Sequence, residues 1–407
     1  MDYISRAIEA VLQESLALFP IVLISGARQV GKSTLSKSLS GYDYITLDNT
    51  LTRERADSNP DQFIRNIKTP VIIDEIQKSP SLLPAIKESV DNNRAGGRFV
   101  LTGSANIFTL KTVKETLVGR LVQLELQPLS QKEIYGGANL DFEILRNSPK
   151  DLPINKDTGR SDIIRAIITG GYPERYKLRN NLRLQSAWTD TYISSYIDSD
   201  VMSINEIRNL NAFHQLYRIL AIQSASALNK NSLARDIKLS HPTLNAYLEI
   251  LTQTYQIMWL PSWATNLGKR LVKNSKMFFA DTGMLSHLLN IYDENSFNNS
   301  YLNGSIVETF VLSELLKSVK SRILSERFSF FRTEDGKEID FIVEGAGRPI
   351  AIEVKASESV RPDDFKHIRY LQKNKPELNF QGVVFYMGGE TVVFSENCTA
   401  VPISTLL

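Results

Sequence analysis

Along the first third of the chain, short runs of apolar and β-branched residues alternate with stretches of helical period. That alternation predicts an α/β domain with a largely parallel sheet, its strands at 22–25, 44–47, 71–74, 98–102 and 122–126. A polar stretch over 139–160, with Pro149, Pro153 and Gly159, breaks the pattern as a linker or insertion. Residues 162–201 then read as helical around the break Gly170-Gly171-Tyr172-Pro173-Glu174, and from 212 to 251 the period continues with Leu244, Tyr247, Leu248 and Leu251 on one face. Residues 256–260 and 276–280 read as two strands joined by a polar, basic loop around Gly268. After a polar spacer at 293–303 comes a final α/β unit, with a helix over 304–319 and strands at 328–332, 338–343 and 349–355. Their joints, Glu334-Asp335-Gly336-Lys337 and Gly345-Ala346-Gly347, are those of a β-meander.

Composition narrows this picture. A chain of 407 residues exceeds one hydrophobic core, so about two to four domains are expected. Lysine and arginine (47) nearly balance aspartate and glutamate (45), which rules out a strongly basic nucleic-acid protein and leaves room for a local basic patch. The single cysteine, Cys398, permits neither an intramolecular disulfide nor a cysteine-based zinc site and fits a reducing cytoplasm. Asp2, Arg6, Glu9 and Glu14 interrupt the first residues, so a secretory signal or a spanning helix is not expected there. No other apolar run is long enough to cross a bilayer, and a cytoplasmic chain without a membrane partner is expected.

The densest chemistry follows the first strand. Gly26-Ala27-Arg28-Gln29-Val30-Gly31-Lys32-Ser33 fits the pattern G-x-x-x-x-G-K-[ST], with an apolar strand leading in and helix formers leading out. Glycines let backbone N–H groups wrap phosphates, the helix start adds favourable partial charge, Lys32 reaches the terminal phosphates, and Ser33 gives an oxygen to magnesium. Val71-Ile72-Ile73-Asp74-Glu75 is an apolar strand ending in two carboxylates: Asp74 suits a magnesium contact, and Glu75 suits a general base that polarises water. The strand Phe99-Val100-Leu101-Thr102 ends in Gly103-Ser104-Ala105-Asn106, with Thr102 or Ser104 a candidate to position water. Arg120, after Gly119, reads either as an arginine finger for a neighbouring subunit or as a surface salt bridge.

The run from Phe19 through the P-loop to Thr34, followed by Asp74-Glu75-Ile76-Gln77, Leu101-Thr102-Gly103-Ser104 and Gly119-Arg120, resembles the AAA+ ATPase family of bacteria and archaea, in which an AAA-type domain precedes a carboxyl-terminal domain of unknown function. Gly170-Gly171-Tyr172-Pro173-Glu174 resembles that family's motif just after the ATPase core, and Arg175 is the nominee for a second sensor arginine. The resemblance implies ATP and Mg2+ as cofactors, and Arg120, if it is a finger and not a salt bridge, implies a homo-oligomer.

In the middle of the chain, Ser232 to Leu244 reads as helix, turn, helix, with Ser240 as a cap and Pro242 in the first turn of the second helix. With Lys269, Arg270, Lys273 and Lys276 around the loop that follows, the region reads as a winged helix. Either Thr243 and Asn245 face a DNA or RNA groove and the wing faces phosphates, or the module binds protein. In the last unit, Glu353 and Lys355 share one face of a strand, Asp340 lies in the adjacent strand, and Glu308 sits on the preceding helix. This layout resembles the PD-(D/E)XK nuclease fold: Asp340, Glu353 and Glu308 would hold a magnesium ion, and Lys355 would activate water or stabilise the phosphate. The alternative is a solvated Glu–Lys face on an inactive binding domain. The expected organisation is therefore multidomain α/β: a P-loop AAA-type domain (1–140), a linker and helical lid (141–205), a winged helix-turn-helix (206–292) and a restriction-endonuclease-like domain (293–407). Two activities are compatible with it, an ATP-driven switch acting on nucleic acid and a signalling or stress-response ATPase whose rear domains bind protein.

Overall fold

The computed structural model describes residues 3–104, 117–196, 209–264 and 275–407. The chain forms two compact units: Met1–Leu129 with Gln253–Tyr255 and Lys320–Ile323, and Ser130–Thr252 with Gln256–Val319 and Leu324–Leu407.

The first unit is built on five strands, β1 (Ile21–Ser25), β2 (Asp43–Thr46), β3 (Val71–Asp74), β4 (Phe99–Gly103) and β5 (Leu121–Glu125). They pair in the order β2-β3-β4-β1-β5, every pair parallel. Each strand lies within a residue of its predicted place. The signal was strong because β1, β3 and β4 are buried along their whole length, and a strand covered on both faces reads as an unbroken apolar run. Helix Leu82–Asn92 covers one face, sending Leu82, Leu83, Ile86 and Val90 into the cluster that holds Leu23, Ile73 and Leu101. In-register pairing of β1, β3 and β4 brings their carboxyl ends to one edge of the sheet, where ligands of open α/β sheets bind.

The second unit contains two sheets. Helices Arg160–Thr169, Pro173–Lys177, Leu182–Tyr196 and Leu210–Ile222 lead into a small antiparallel sheet of β6 (Ser226–Ala227), β7 (Ile257–Leu260) and β8 (Lys276–Phe279), in the order β6-β8-β7. Helices Lys230–Asp236 and His241–Gln253 lie between β6 and β7 in the chain. Gly268, Lys269, Arg270 and Lys273, expected to form the wing loop, lie outside the described residues.

Helix Asn303–Lys320 then precedes six strands, β9 (Arg327–Arg332), β10 (Glu338–Glu344), β11 (Ile350–Lys355), β12 (Gln381–Tyr386), β13 (Val392–Ser395) and β14 (Cys398–Pro402). Their order is β13-β14-β12-β11-β10-β9. The β9-β10-β11 part is the antiparallel meander its turn residues predict. Beyond it the sheet turns parallel, β11 to β12 and β12 to β14, with helix Lys366–Asn374 in the crossover. Among the described residues no helix is long and apolar enough to cross a membrane.

Candidate functional site

At the carboxyl edge of the first sheet the chain leaves β1 through Gly26, whose φ of 145° belongs to glycine; a Cβ there would meet the Leu126 carbonyl oxygen at 2.2 Å. Gly31, at φ 103°, opens helix Lys32–Lys37. Ala27 and Val30 are buried, Arg28 is half-buried, and Gln29 and Thr34 are exposed. Lys32 is buried along the loop and donates to the carbonyls of Gly26 at 3.0 Å and Ala27 at 2.8 Å. Arg6 braces the loop from outside, donating to the Val30 carbonyl at 2.9 Å and the Gln127 carbonyl at 2.6 Å. Read in sequence, Arg6 is only a charge near the amino terminus.

Asp74 ends β3 beside this loop. Its carboxylate accepts from Ser33 Oγ at 3.0 Å, from Tyr44 Oη at 2.5 Å and from Thr102 Oγ1, and Thr102 Oγ1 in turn accepts from the Glu75 N–H at 3.2 Å. Burial and the Asp74 hydrogen bond both push the Tyr44 phenol up, so Tyr44 stays a donor. Glu75 adopts a left-handed backbone, φ 59° and ψ 47°, which a side-chain-bearing residue occupies at a cost of about 1–3 kcal/mol. Its Oε2 accepts from Gln77 Nε2 and from Ser104 Oγ at 3.2 Å, and Gln77 Nε2 also donates to Ser104 Oγ at 2.9 Å. Sequence reading nominated Thr102 or Ser104 for this edge. The structure uses both, Thr102 on Asp74 and Ser104 on Glu75. Gln77, which lies in the resemblance motif without a role, ties the two strand ends together, while Ala105 and Asn106 are outside the described residues.

These residues suit ATP with Mg2+: a loop only glycine can form, a buried lysine, and a serine hydroxyl already within hydrogen-bond reach of an acidic strand end.

The two arginines considered for catalytic roles both have partners inside their own unit. Arg120 forms a two-pronged ion pair with Asp91 of its own unit, Nε to Oδ1 at 2.6 Å and Nη2 to Oδ2 at 3.0 Å. This is the salt-bridge alternative. Arg120→Ala and Asp91→Ala are accordingly expected to lower thermal stability slightly and alike, with ATP turnover unchanged in both. A turnover loss confined to Arg120→Ala, in paired phosphate-release assays, would restore the finger. Arg175, the sensor nominee, is buried inside the second unit, where it donates to the carbonyls of Thr169 and Ile168, each at 3.0 Å, and to Thr189 Oγ1. Burial lowers its guanidinium to about 10.

The second unit gathers the other nominated residues. The β9–β10 register shifts between Ile339 and Ile342, and this irregularity falls on Asp340. The β10–β11 ladder stops at Phe341–Ile352, and the Asp340 carboxylate takes up the next free donor, the Val354 N–H, at 2.8 Å. Glu353 and Lys355 project together, as strand alternation predicts, and are bonded at 2.9 Å. Glu308 arrives from helix Asn303–Lys320. Two further groups come in that the sequence did not announce, Glu338 and Lys276. Lys276 Nζ lies 2.6 Å from Glu338, 3.1 Å from Glu308 and 4.0 Å from Asp340.

This corrects one expectation: Lys276 is not part of a basic wing, since it is 3% exposed and faces carboxylates. Asp340, Glu353 and Glu308, expected to hold a metal ion, do converge, with an ammonium among them, and among the described residues no group of three or more His, Cys, Asp or Glu side chains is set to hold a metal ion. Burial raises Glu308 and Asp340 above the usual carboxylate range and pushes Glu353 up to about 8. Burial pulls Lys276 down, but Glu308, Asp340 and Glu338 outweigh it and hold the ammonium above its ordinary value.

Helix His241–Gln253 exposes His241, Pro242, Asn245 and Glu249 and carries no lysine or arginine. Exposed cations nearby in the chain include Lys230, Arg235 and Lys238, on and after the helix before it.

Comparison with known proteins gives matches in three parts of the chain. Residues 18–135 match the family model described as an AAA domain, so the amino-terminal part of the chain holds a domain of AAA type. Two further models, each described as a domain of unknown function, match residues 160–295 (DUF8612) and 303–406 (DUF4143). An uncharacterized protein of Mycobacterium tuberculosis is 28% identical over 353 residues, which are 86% of this chain and 73% of the relative. One of Methanocaldococcus jannaschii is 25% identical over 300 residues, 70% of this chain and 61% of the relative. Among solved structures, a Walker-type ATPase of Pyrococcus abyssi aligns with a TM-score of 0.42 and 16% identity, over 71% of this chain and 96% of its own.

Proposed function

We propose that the chain binds ATP with Mg2+ at the carboxyl edge of the first sheet and hydrolyses it with Glu75 as general base. The observation that carries the reading is the bonded series Ser33, Asp74, Thr102 and the Glu75 backbone, which fixes both acidic residues beside the P-loop. The loop N–H groups from Ala27 to Ser33 bind phosphate oxygens, Lys32 neutralises the terminal ones, and Ser33 with Asp74 holds the ion. The ion supplies charge neutralisation on the phosphates when bound. Glu75 accepts a proton from water as the water oxygen bonds to the γ-phosphorus and the bond from that phosphorus to the bridging oxygen breaks. Ser104 and Gln77 hold the Glu75 carboxylate in place for this transfer.

Lys32→Ala tests the site. Removing a charge-assisted contact costs ~1.5–3 kcal/mol, so nucleotide affinity is expected to fall by about tenfold or more, read by equilibrium titration with a fluorescent ATP analogue. Unchanged affinity in the folded variant would move the site elsewhere.

The rear modules, in this reading, form a winged helix and a nuclease-like domain through which ATP state governs engagement of DNA or RNA. Support comes from the helix pair Lys230–Asp236 and His241–Gln253 beside a three-stranded sheet, with Lys230, Arg235 and Lys238 exposed. The exposed face of His241–Gln253, which carries no lysine or arginine, favours a second reading, a protein-binding module on a signalling ATPase. Mobility-shift assays on DNA and RNA, with and without ATP, separate the two: a shift that responds to nucleotide supports the first, and no shift in any arm supports the second.

A further inference from the structure

The carboxylate cluster of the second unit has a cation built into it. Lys276 belongs to β8, the central strand of its sheet, pairing with Ala227 on one side and Leu260 on the other. Its backbone is therefore fixed by two neighbours, and its side chain is buried. The ammonium meets Glu338 at 2.6 Å and Glu308 at 3.1 Å, with Asp340 at 4.0 Å and the Phe330 ring centroid at 5.5 Å. A second ammonium, Lys355, is bonded to Glu353 at 2.9 Å. The carboxylates that the strand and helix pattern offers for a divalent ion are thus engaged by lysines of the same unit, one of them delivered from a different sheet.

We propose that Lys276 is the resident counter-cation of the Glu308, Glu338 and Asp340 cluster and closes it to divalent metal. A hard divalent ion needs several oxygens within about 2.0–2.6 Å of one point, whereas an ammonium needs only hydrogen-bond contact with its three donors. The spacing from Nζ to Glu338 and Glu308 is that of hydrogen bonds, and Asp340 at 4.0 Å completes the ion-pair cluster around the ammonium. The cluster then serves to join the small sheet to the large one, and the carboxyl-terminal module acts as a binding fold without metal-dependent cleavage. This stands independently of the reading of the ATP site.

Mn2+ alone is the probe, applied to the full-length chain without nucleotide and read as bound ion by electron paramagnetic resonance. Wild type and Asp340→Asn are expected to bind Mn2+ equally. Lys276→Met, which keeps the length of the stem and removes the charge, is expected to bind a single ion at least about tenfold more tightly than wild type, and Lys276→Met/Asp340→Asn to lose that gain. Wild-type binding that Asp340→Asn abolishes would overturn the proposal, as would a folded Lys276→Met, by near-ultraviolet circular dichroism, with no gain. If Lys276→Met does not fold, Lys276→Gln replaces it. Failing both, the comparison of wild type with Asp340→Asn decides, equal binding supporting the proposal and Asp340-dependent binding ending it.

Discussion

Glu75→Gln is expected to bind ATP as wild type does and to hydrolyse it roughly 10²–10⁴-fold more slowly, the usual worth of a positioned general base. The amide has the carboxylate's shape, and its oxygen still accepts from Ser104 Oγ and Gln77 Nε2, so the local arrangement survives while the proton acceptor is lost. Phosphate contacts are made by other groups, the P-loop amides and Lys32, so affinity is expected to remain. Equilibrium titration of nucleotide alongside steady-state phosphate release makes the measurement. Wild-type turnover in the variant would remove Glu75 as the base and leave its left-handed backbone without a catalytic reason. Gln77→Ala should fall between: the base remains but loses one of the two donors that hold it.

This site was legible because its signals are local. A glycine pattern between an apolar strand and a helix, and two carboxylates at the end of a second such strand, are short stretches whose geometry follows from neighbouring residues. What stayed hidden depends on contacts across the chain. Tyr44 reaches Asp74 from the edge strand β2, and Arg6 reaches the loop from ahead of helix Glu9–Leu18, though neither position has a local pattern to mark it. Lys276 shows the same limit more sharply. In a run of basic residues before a strand it reads as one more wing cation, and only the fold reveals Glu308 and Glu338 around it. Strand alternation rightly put Glu353 and Lys355 on one face, but alternation gives a face and not what packs on it. The burial of Arg175, whose guanidinium bonds Thr169, Ile168 and Thr189, likewise has no pattern in the sequence to mark it.

The Gly170-Gly171-Tyr172-Pro173-Glu174 break receives its explanation from a partner far along the chain. Gly170 sits at φ 70° and ψ −164°, a region that only glycine occupies readily, and a Cβ there would lie 2.4 Å from Asp281 Oδ1 and 2.6 Å from the Gly283 nitrogen. Asp281 needs that space. Buried, it accepts from the Gly171 N–H at 2.7 Å and from the Met284 N–H at 3.0 Å, the latter capping helix Thr282–Leu288. Gly283 is constrained in return, its Cβ position lying 2.4 Å from the Thr169 carbonyl oxygen and 2.6 Å from Arg175 Nε. Gly170→Ala therefore strains the backbone, at about 1–3 kcal/mol, and displaces a buried carboxylate from its donors, at about 1–3 kcal/mol more. The expected loss is roughly 2–6 kcal/mol, concentrated in the second unit. Hydrogen exchange reads it directly: amides of Arg160–Thr169 and Thr282–Leu288 should lose protection in Gly170→Ala, while those of β1 and β4 in the first unit keep theirs. Glycine-like stability in the alanine variant would mean that the chain relaxes around the new methyl group, and that Asp281 is not what fixes glycine at position 170.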